Sequence, residues 1–168
     1  SLRALVAAYD LDPGDVVKVD TGTYVLVRNV LVSNLPGVGD DAGMTIQGAS
    51  AAGTVLNRAN PASGSYGIEL GNADGVRIED LSITGGYTGV YASDTSDSDG
   101  VVLDGVQVYG NASYGIDLAA TNDNALVTGS EVYGTGVSTG QQTGIRLAGT
   151  GAQVLASSVH DHSSTGIN

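Results

Sequence analysis

The chain has 168 residues, of which 26 are Gly and 8 are Tyr, with no Cys, Trp or Phe; acidic residues outnumber basic ones 18 to 6, for a formal charge of −12. That length suits one domain with a real core. The lack of Cys excludes a disulfide scaffold and any thiolate metal centre, no apolar run reaches membrane-spanning length, and the acidic balance argues against nucleic acid as a partner.

In chain order, Ser1 follows neither a Met nor a basic and apolar leader, so no signal peptide is expected in these residues. Leu2, Leu5, Val6 and Tyr9 recur at helical spacing, which predicts a short amphipathic helix over 2–9. Asp12-Pro13-Gly14-Asp15 reads as a turn, because Pro and Gly set turn dihedrals and Asp caps. Val17 and Val19 flank Lys18 in strand alternation, Asp20-Thr21-Gly22-Thr23 turns again, and Tyr24 to Val32 holds further strand material.

Beyond this point the sequence repeats. One phrase is Gly, then Ile or Val, then a variable residue, then an apolar one. It occurs as Gly67-Ile68-Glu69-Leu70, Gly89-Val90-Tyr91-Ala92, Gly115-Ile116-Asp117-Leu118 and Gly144-Ile145-Arg146-Leu147, and begins again at Gly166-Ile167-Asn168. A second phrase lies between its copies: Leu81-Ser82-Ile83-Thr84, Val106-Gln107-Val108-Tyr109, Ser130-Glu131-Val132-Tyr133 and Ser157-Ser158-Val159-His160. A third precedes the second, as Val76-Arg77-Ile78, Val101-Val102-Leu103, Ala125-Leu126-Val127 and Ala152-Gln153-Val154. Each unit thus holds three short alternating strands separated by turn residues. A strand of three or four residues cannot bury its apolar face alone. Three of them wound into one coil can do so, if successive coils stack about 4.8 Å apart with like strands paired in parallel.

These phrases resemble the right-handed parallel β-helix repeats of the pectin-lyase-like superfamily. The opening is similar too: the helix, Pro13-Gly14-Asp15-Val16-Val17 and Gly22-Thr23-Tyr24 match an N-terminal cap and first coil, and Met44-Thr45-Ile46-Gln47-Gly48 a second. The resemblance implies an all-β solenoid of about six coils with three short strands each. It would form a single domain over 1–168, with a cap over 1–15 and coils over 16–168. The chain departs from the family at the tight turn after the third phrase, which reads Glu79-Asp80, Asp104-Gly105, Thr128-Gly129 and Ala156-Ser157, without stacked Asn. A coil beginning at Gly166 with nothing to close it points to a fragment of a longer protein or to stacking on a second copy of the chain.

In the Gly-Ile-x-Leu strand the apolar residues point inward and x points outward. The outward column is then Glu69, Tyr91, Asp117, Arg146 and Asn168, on the face where the resemblance places a substrate groove. A Tyr, a carboxylate and an Arg on adjacent rungs are candidates to grip a polysaccharide. The plainer alternative is a cross-strand surface ion pair between Asp117 and Arg146, worth about 0–1 kcal/mol. Among these outward positions there is one Arg and no Lys. A second outward column is Thr84, Tyr109, Tyr133 and His160, whose rings either bind sugars or cover neighbouring aliphatic surface.

Asp94, Asp97 and Asp99 crowd one loop, and Asp123 lies in the matching turn a coil later, so these four are the candidate Ca²⁺ ligands. The alternative is a solvated acidic turn. His160-Asp161-His162 has metal-ligand or acid–base spacing on a regular strand, but it runs into a turn and reads as surface. Neither a phosphate-cradling Gly-rich loop nor a nucleophile elbow is present. The expected function is a secreted or cell-surface microbial module with a structural, adhesive or polysaccharide-binding role. The alternative is the N-terminal part of a lyase, epimerase or hydrolase acting on acidic polysaccharide, with its catalytic residues on further coils. No catalytic residue is assigned on this chain.

Overall fold

The computed structural model describes residues 1–35, 39–136 and 140–168. It begins with α1 (Leu2–Val6), in which the Ser1 side chain accepts a hydrogen bond from the Ala4 amide. The helix is shorter than the 2–9 stretch expected from spacing. Residues 7–9 leave it as a turn, and a single helical turn presents only one narrow side to the coil beneath. Val6 alone is buried there, while Leu5 and Tyr9 are exposed.

Six coils follow. The first is β1 (Val16–Val19), β2 (Gly22–Val25) and β3 (Val30–Leu35), extended by the two-residue β4 (Gly39–Asp40), which pairs antiparallel with β3. The second is β5 (Thr45–Gly48), β6 (Thr54–Asn57) and β7 (Tyr66–Gly71); the third is β8 (Arg77–Glu79), β9 (Ser82–Thr84) and β10 (Thr88–Ala92). The fourth is β11 (Val102–Asp104), β12 (Gln107–Tyr109) and β13 (Tyr114–Leu118); the fifth is β14 (Leu126–Thr128), β15 (Glu131–Tyr133) and β16 (Thr143–Leu147). The sixth is β17 (Gln153–Leu155), β18 (Ser158–His160) and β19 (Thr165–Ile167). Like strands of successive coils pair in parallel. Sheet I runs β1-β5-β8-β11-β14-β17, sheet II runs β2-β6-β9-β12-β15-β18, and sheet III runs β3-β7-β10-β13-β16-β19.

Register aligns the interior into files. On sheet III, Val30, Ile68, Val90, Ile116, Ile145 and Ile167 are partners in succession, and the first five are fully buried. Ile46, Ile78, Leu103 and Val127 form the corresponding file of sheet I, and Leu56, Ile83, Val108 and Val132 that of sheet II. Full burial of one such side chain stabilises by about 1.5–3 kcal/mol. The three files meet at the centre, so each short strand acquires a core that it could not make alone.

The Gly that opens the sheet III phrase in the second to fifth coils has a steric cause. A Cβ on Gly115 would lie 2.7 Å from the Gly144 carbonyl oxygen and 2.7 Å from Val132 Cγ1, closer than real Cβ contacts come. Glycine there lets the backbones of adjacent coils and the sheet II core meet at the corner.

The turn without Asn is also explained. Asp80, Gly105, Gly129 and Ala156 occupy it on successive coils, all with left-handed φ between 49° and 62°. Gly takes that conformation in two of the four at no steric cost.

Candidate functional site

The outer face of sheet III carries the largest mixture of aromatic and charged side chains. Leu31, Glu69, Tyr91, Asp117 and Arg146 are register partners on five successive strands, so the outward column lies as expected from the phrase and continues one rung further to Leu31. Asn168 lies just past β19, where its backbone carbonyl accepts from the Leu147 amide.

Asp117 and Arg146 meet through Nε and Oδ1 at 2.5 Å. The pair is the cross-strand ion pair of the plainer reading, but only its Arg146 end lies at the surface, because Asp117 is only 4% exposed. Burial pushes its carboxyl pKa up, and the Arg146 bond and charge pull against that shift. Arg146 in turn is raised, chiefly by its bond to Asp117. A carboxylate so desolvated is held in the fold by its guanidinium.

Two tyrosines not singled out in the sequence join this face. Tyr66 stacks on Tyr91 with ring centroids 4.0 Å apart, and the Arg146 guanidinium lies 5.2 Å from the Tyr114 ring centroid. Burial, and then the proximity of Tyr91, push the Tyr66 hydroxyl up to about 12, so it remains a neutral hydrogen-bonding group. The signal for both was present in the repeat. Tyr66, Thr88, Tyr114, Thr143 and Thr165 all stand immediately before the Gly of the phrase, and they align in register.

The outward column holds a single Arg as expected, but three further arginines lie beside this face. At its N-terminal end Arg3, Arg28 and Arg58 border a cleft of about 300 Å³ with Asn29, Leu31 and Glu69. Arg58 reaches it from the end of β6, with its Nε donating to Asn29 Oδ1 and its Nη1 to the Leu26 carbonyl, both at 3.1 Å. Asn29 Nδ2 donates to Glu69 Oε2 at 2.8 Å, which ties the outward column to the cleft. These arginines escape the repeat pattern because the first coil lacks the Gly-Ile phrase and residue 58 lies in a corner.

The second outward column is in register as expected. Tyr109 stacks on Tyr133 at 5.0 Å, and Tyr133 on the His160 ring at 5.6 Å, with the planes nearly parallel. His160 bonds Asp161 and Glu131, which together raise its pKa above 6.5. His162 does not share that face. Its Nε2 lies 3.1 Å from the Val132 carbonyl oxygen, so it turns toward the corner between sheets II and III.

The four candidate Ca²⁺ ligands are spread along a corner, and the carboxylates of three of them meet backbone amides. Asp99 accepts from the Asp123 amide at 2.7 Å, Asp123 from that of Thr150 at 2.6 Å, and Asp94 from that of Ala120 at 3.3 Å. The Asp97 amide donates to Asn72. Among the described residues no three His, Cys, Asp or Glu side chains gather at metal-binding spacing.

A family model described as "Right handed beta helix region" matches residues 14–168. No curated protein and no solved structure matches the chain.

Proposed function

The chain belongs to the right-handed β-helix family, and from that architecture and the outer face of sheet III we propose that it is a rigid extracellular module that binds polysaccharide along that face without transforming it. The observation that carries the reading is the group formed by Glu69, Tyr66, Tyr91, Tyr114 and Arg146 on consecutive coils, with Asp117 beneath it holding Arg146 in place. Carbohydrate sites combine flat apolar platforms with a few fixed polar groups. Tyr supplies both in one side chain, a ring for the C–H face of a sugar and a hydroxyl for its OH groups. The parallel stack repeats these groups at the roughly 4.8 Å strand spacing, which suits an extended polymer lying along the solenoid axis.

The ion pair supports binding over catalysis. Asp117 is committed to Arg146, so neither is free to exchange a proton with a bound sugar. The Tyr109–Tyr133 column is a weaker candidate: it offers two tyrosines against three on the sheet III face, and its stack ends on His160 rather than beside a cleft.

The test is a glycan array followed by calorimetry on the best binder. Tyr91→Ala is expected to weaken that ligand about tenfold, since loss of one aromatic contact removes roughly 1 kcal/mol or more. Tyr133→Ala is expected to leave affinity unchanged. Absence of glycan binding, or turnover of pectate, polygalacturonate or alginate above the buffer rate, would overturn the reading.

A further inference from the structure

The cations of this chain are unevenly committed. Arg77 pairs with Glu79 and Asp104, and Arg146 with Asp117. Arg3, Arg28 and Arg58 form no ion pair among the described residues, although acidic residues outnumber basic ones 18 to 6. Among the described residues Lys18 forms none either but stands apart on β1, whereas these three arginines surround one cleft, shared with Asn29, Leu31 and Glu69.

Arg58 is the informative member. It is 9% exposed, and its two bonds go to neutral acceptors, the Asn29 amide oxygen and the Leu26 carbonyl. Neutral acceptors orient a guanidinium but do not balance its charge, and buried charges are ordinarily paired. Asn29 is itself fixed at four points. Its Oδ1 accepts from Arg58 and from the Tyr66 amide, and its Nδ2 donates to Glu69 and to the Gly64 carbonyl. Arg58 and Glu69 are therefore held at a set separation before any ligand arrives. The exposed Arg28 and Arg3 add charge at the rim, and Leu31 supplies a partly exposed apolar wall.

We propose that this cleft is an oxyanion site that holds the carboxylate or sulfate group of one acidic sugar residue at the N-terminal end of the sheet III face; this rests on the reading of that face as a glycan-binding surface. The oxyanion meets the Arg58 guanidinium, whose planar fork matches such groups. Glu69 accepts from a neighbouring sugar hydroxyl, and the Leu31 side chain lies against the ring. Three guanidinium groups against one carboxylate make the cleft locally positive within a chain whose overall charge repels anions, so the site selects by position and not by long-range attraction.

The experiment measures binding of three probes to the full chain by calorimetry: an oligogalacturonide, its methyl ester and a sulfated oligosaccharide. Inorganic sulfate is titrated separately while the Arg side-chain NMR signals are followed. Expected is tighter binding of one acidic probe than of the methyl ester. Whichever of the two acidic probes binds identifies the group. Arg28→Ala and Arg58→Lys should each reduce that preference by about tenfold or more, the effect of losing a charge-assisted bond. Neither should change binding of the ester. Arg28 is exposed, so its variant remains informative if Arg58→Lys fails to fold.

Equal affinity for acid and ester, or wild-type affinity for the acid in both variants, overturns the oxyanion site. The glycan reading survives that result if Tyr91→Ala still weakens the ester. Conversely, sulfate shifts at Arg28 and Arg58 with no glycan bound would retain an anion site, overturn its assignment to a sugar acid and remove the glycan reading.

Discussion

Asp117 and Arg146 are the residues where burial and charge oppose one another most directly. The two side chains are not equivalent, since Asp117 is almost fully buried and Arg146 is about a third exposed. Removal of the Asp charge leaves a guanidinium that water can reach. Removal of the Arg leaves a carboxylate that water cannot reach. Arg146→Ala should therefore cost about 3 kcal/mol at neutral pH, the usual loss when a buried pair is broken from one side. Asp117→Asn should cost about 1 kcal/mol, the size of an ordinary net hydrogen bond. The pH dependence has a definite sign. Desolvation already raises the Asp117 pKa, and without Arg146 nothing opposes that rise. A carboxyl whose folded pKa exceeds its unfolded value binds more protons when folded, so stability falls as pH rises from the unfolded value through the folded one. The Arg146→Ala deficit should accordingly be full at neutral pH and shrink on acidification as the buried carboxyl protonates. Urea unfolding of both variants at several pH values checks this; equal losses at every pH would refute the asymmetry.

Between strands, the corner joining sheets II and III has its own polar ladder. The Gly86 amide donates to Asn111 Oδ1 at 3.0 Å, and Asn111 Nδ2 donates to Gln141 Oε1 at 3.0 Å. Asn111 and Gln141 are fully enclosed, and His162 continues the corner in the last coil. Such side chains replace pairing that backbone groups lose where the chain turns. Asn111→Ala strands the Gly86 amide, and the expected cost is about 1–3 kcal/mol, read as a lowered urea midpoint. An unchanged midpoint would show that the ladder carries no weight. The corner also marks where sequence reading stops. The strands were legible because each copy of a phrase repeats its own alternation, so Ile68, Val90, Ile116 and Ile145 could be aligned without coordinates. Asn111 and Gln141 could not, since Asn111 follows β12 by two residues whereas Gln141 follows β15 by eight. Insertions of unequal length hide a register that space restores. The same cause concealed Arg58 and Asn29, which belong to coils lying before the repeat becomes regular. The burial of Asp117 was hidden differently: alternation assigns an outward direction but does not reveal what covers an outward residue.

At the scale of the molecule, each coil touches only its neighbours, so stability should follow from coil interfaces more than from any fixed set of long-range contacts. Excision of residues 101–124 tests this. The deletion removes the fourth coil and joins Gly100 to Ala125, which occupies the place of Val101 one coil later. The remaining strands can then pair in existing register: β8 meets β14 with Arg77 opposite Leu126, β9 meets β15 with Ile83 opposite Val132, and β10 meets β16 with Val90 opposite Ile145. Gln141 comes within reach of the Gly86 amide in place of Asn111, and Arg146 comes beside Tyr91. Six buried Val, Leu and Ile side chains leave with the coil, but no cavity remains, because their neighbours close on each other. The shortened chain should keep its β-sheet circular dichroism and unfold in one transition. Its urea m-value should be smaller by about a sixth, since m follows the surface exposed on unfolding. Ile116→Asp is the contrasting variant. It removes nothing but places a carboxylate in the closed file between Val90 and Ile145, at a cost of several kcal/mol against a total stability of about 5–15 kcal/mol. The point substitution should thus damage the fold more than the loss of the entire coil around it. If the excised chain unfolded while Ile116→Asp stayed native, stability would have to reside in something other than the stacking of equivalent turns.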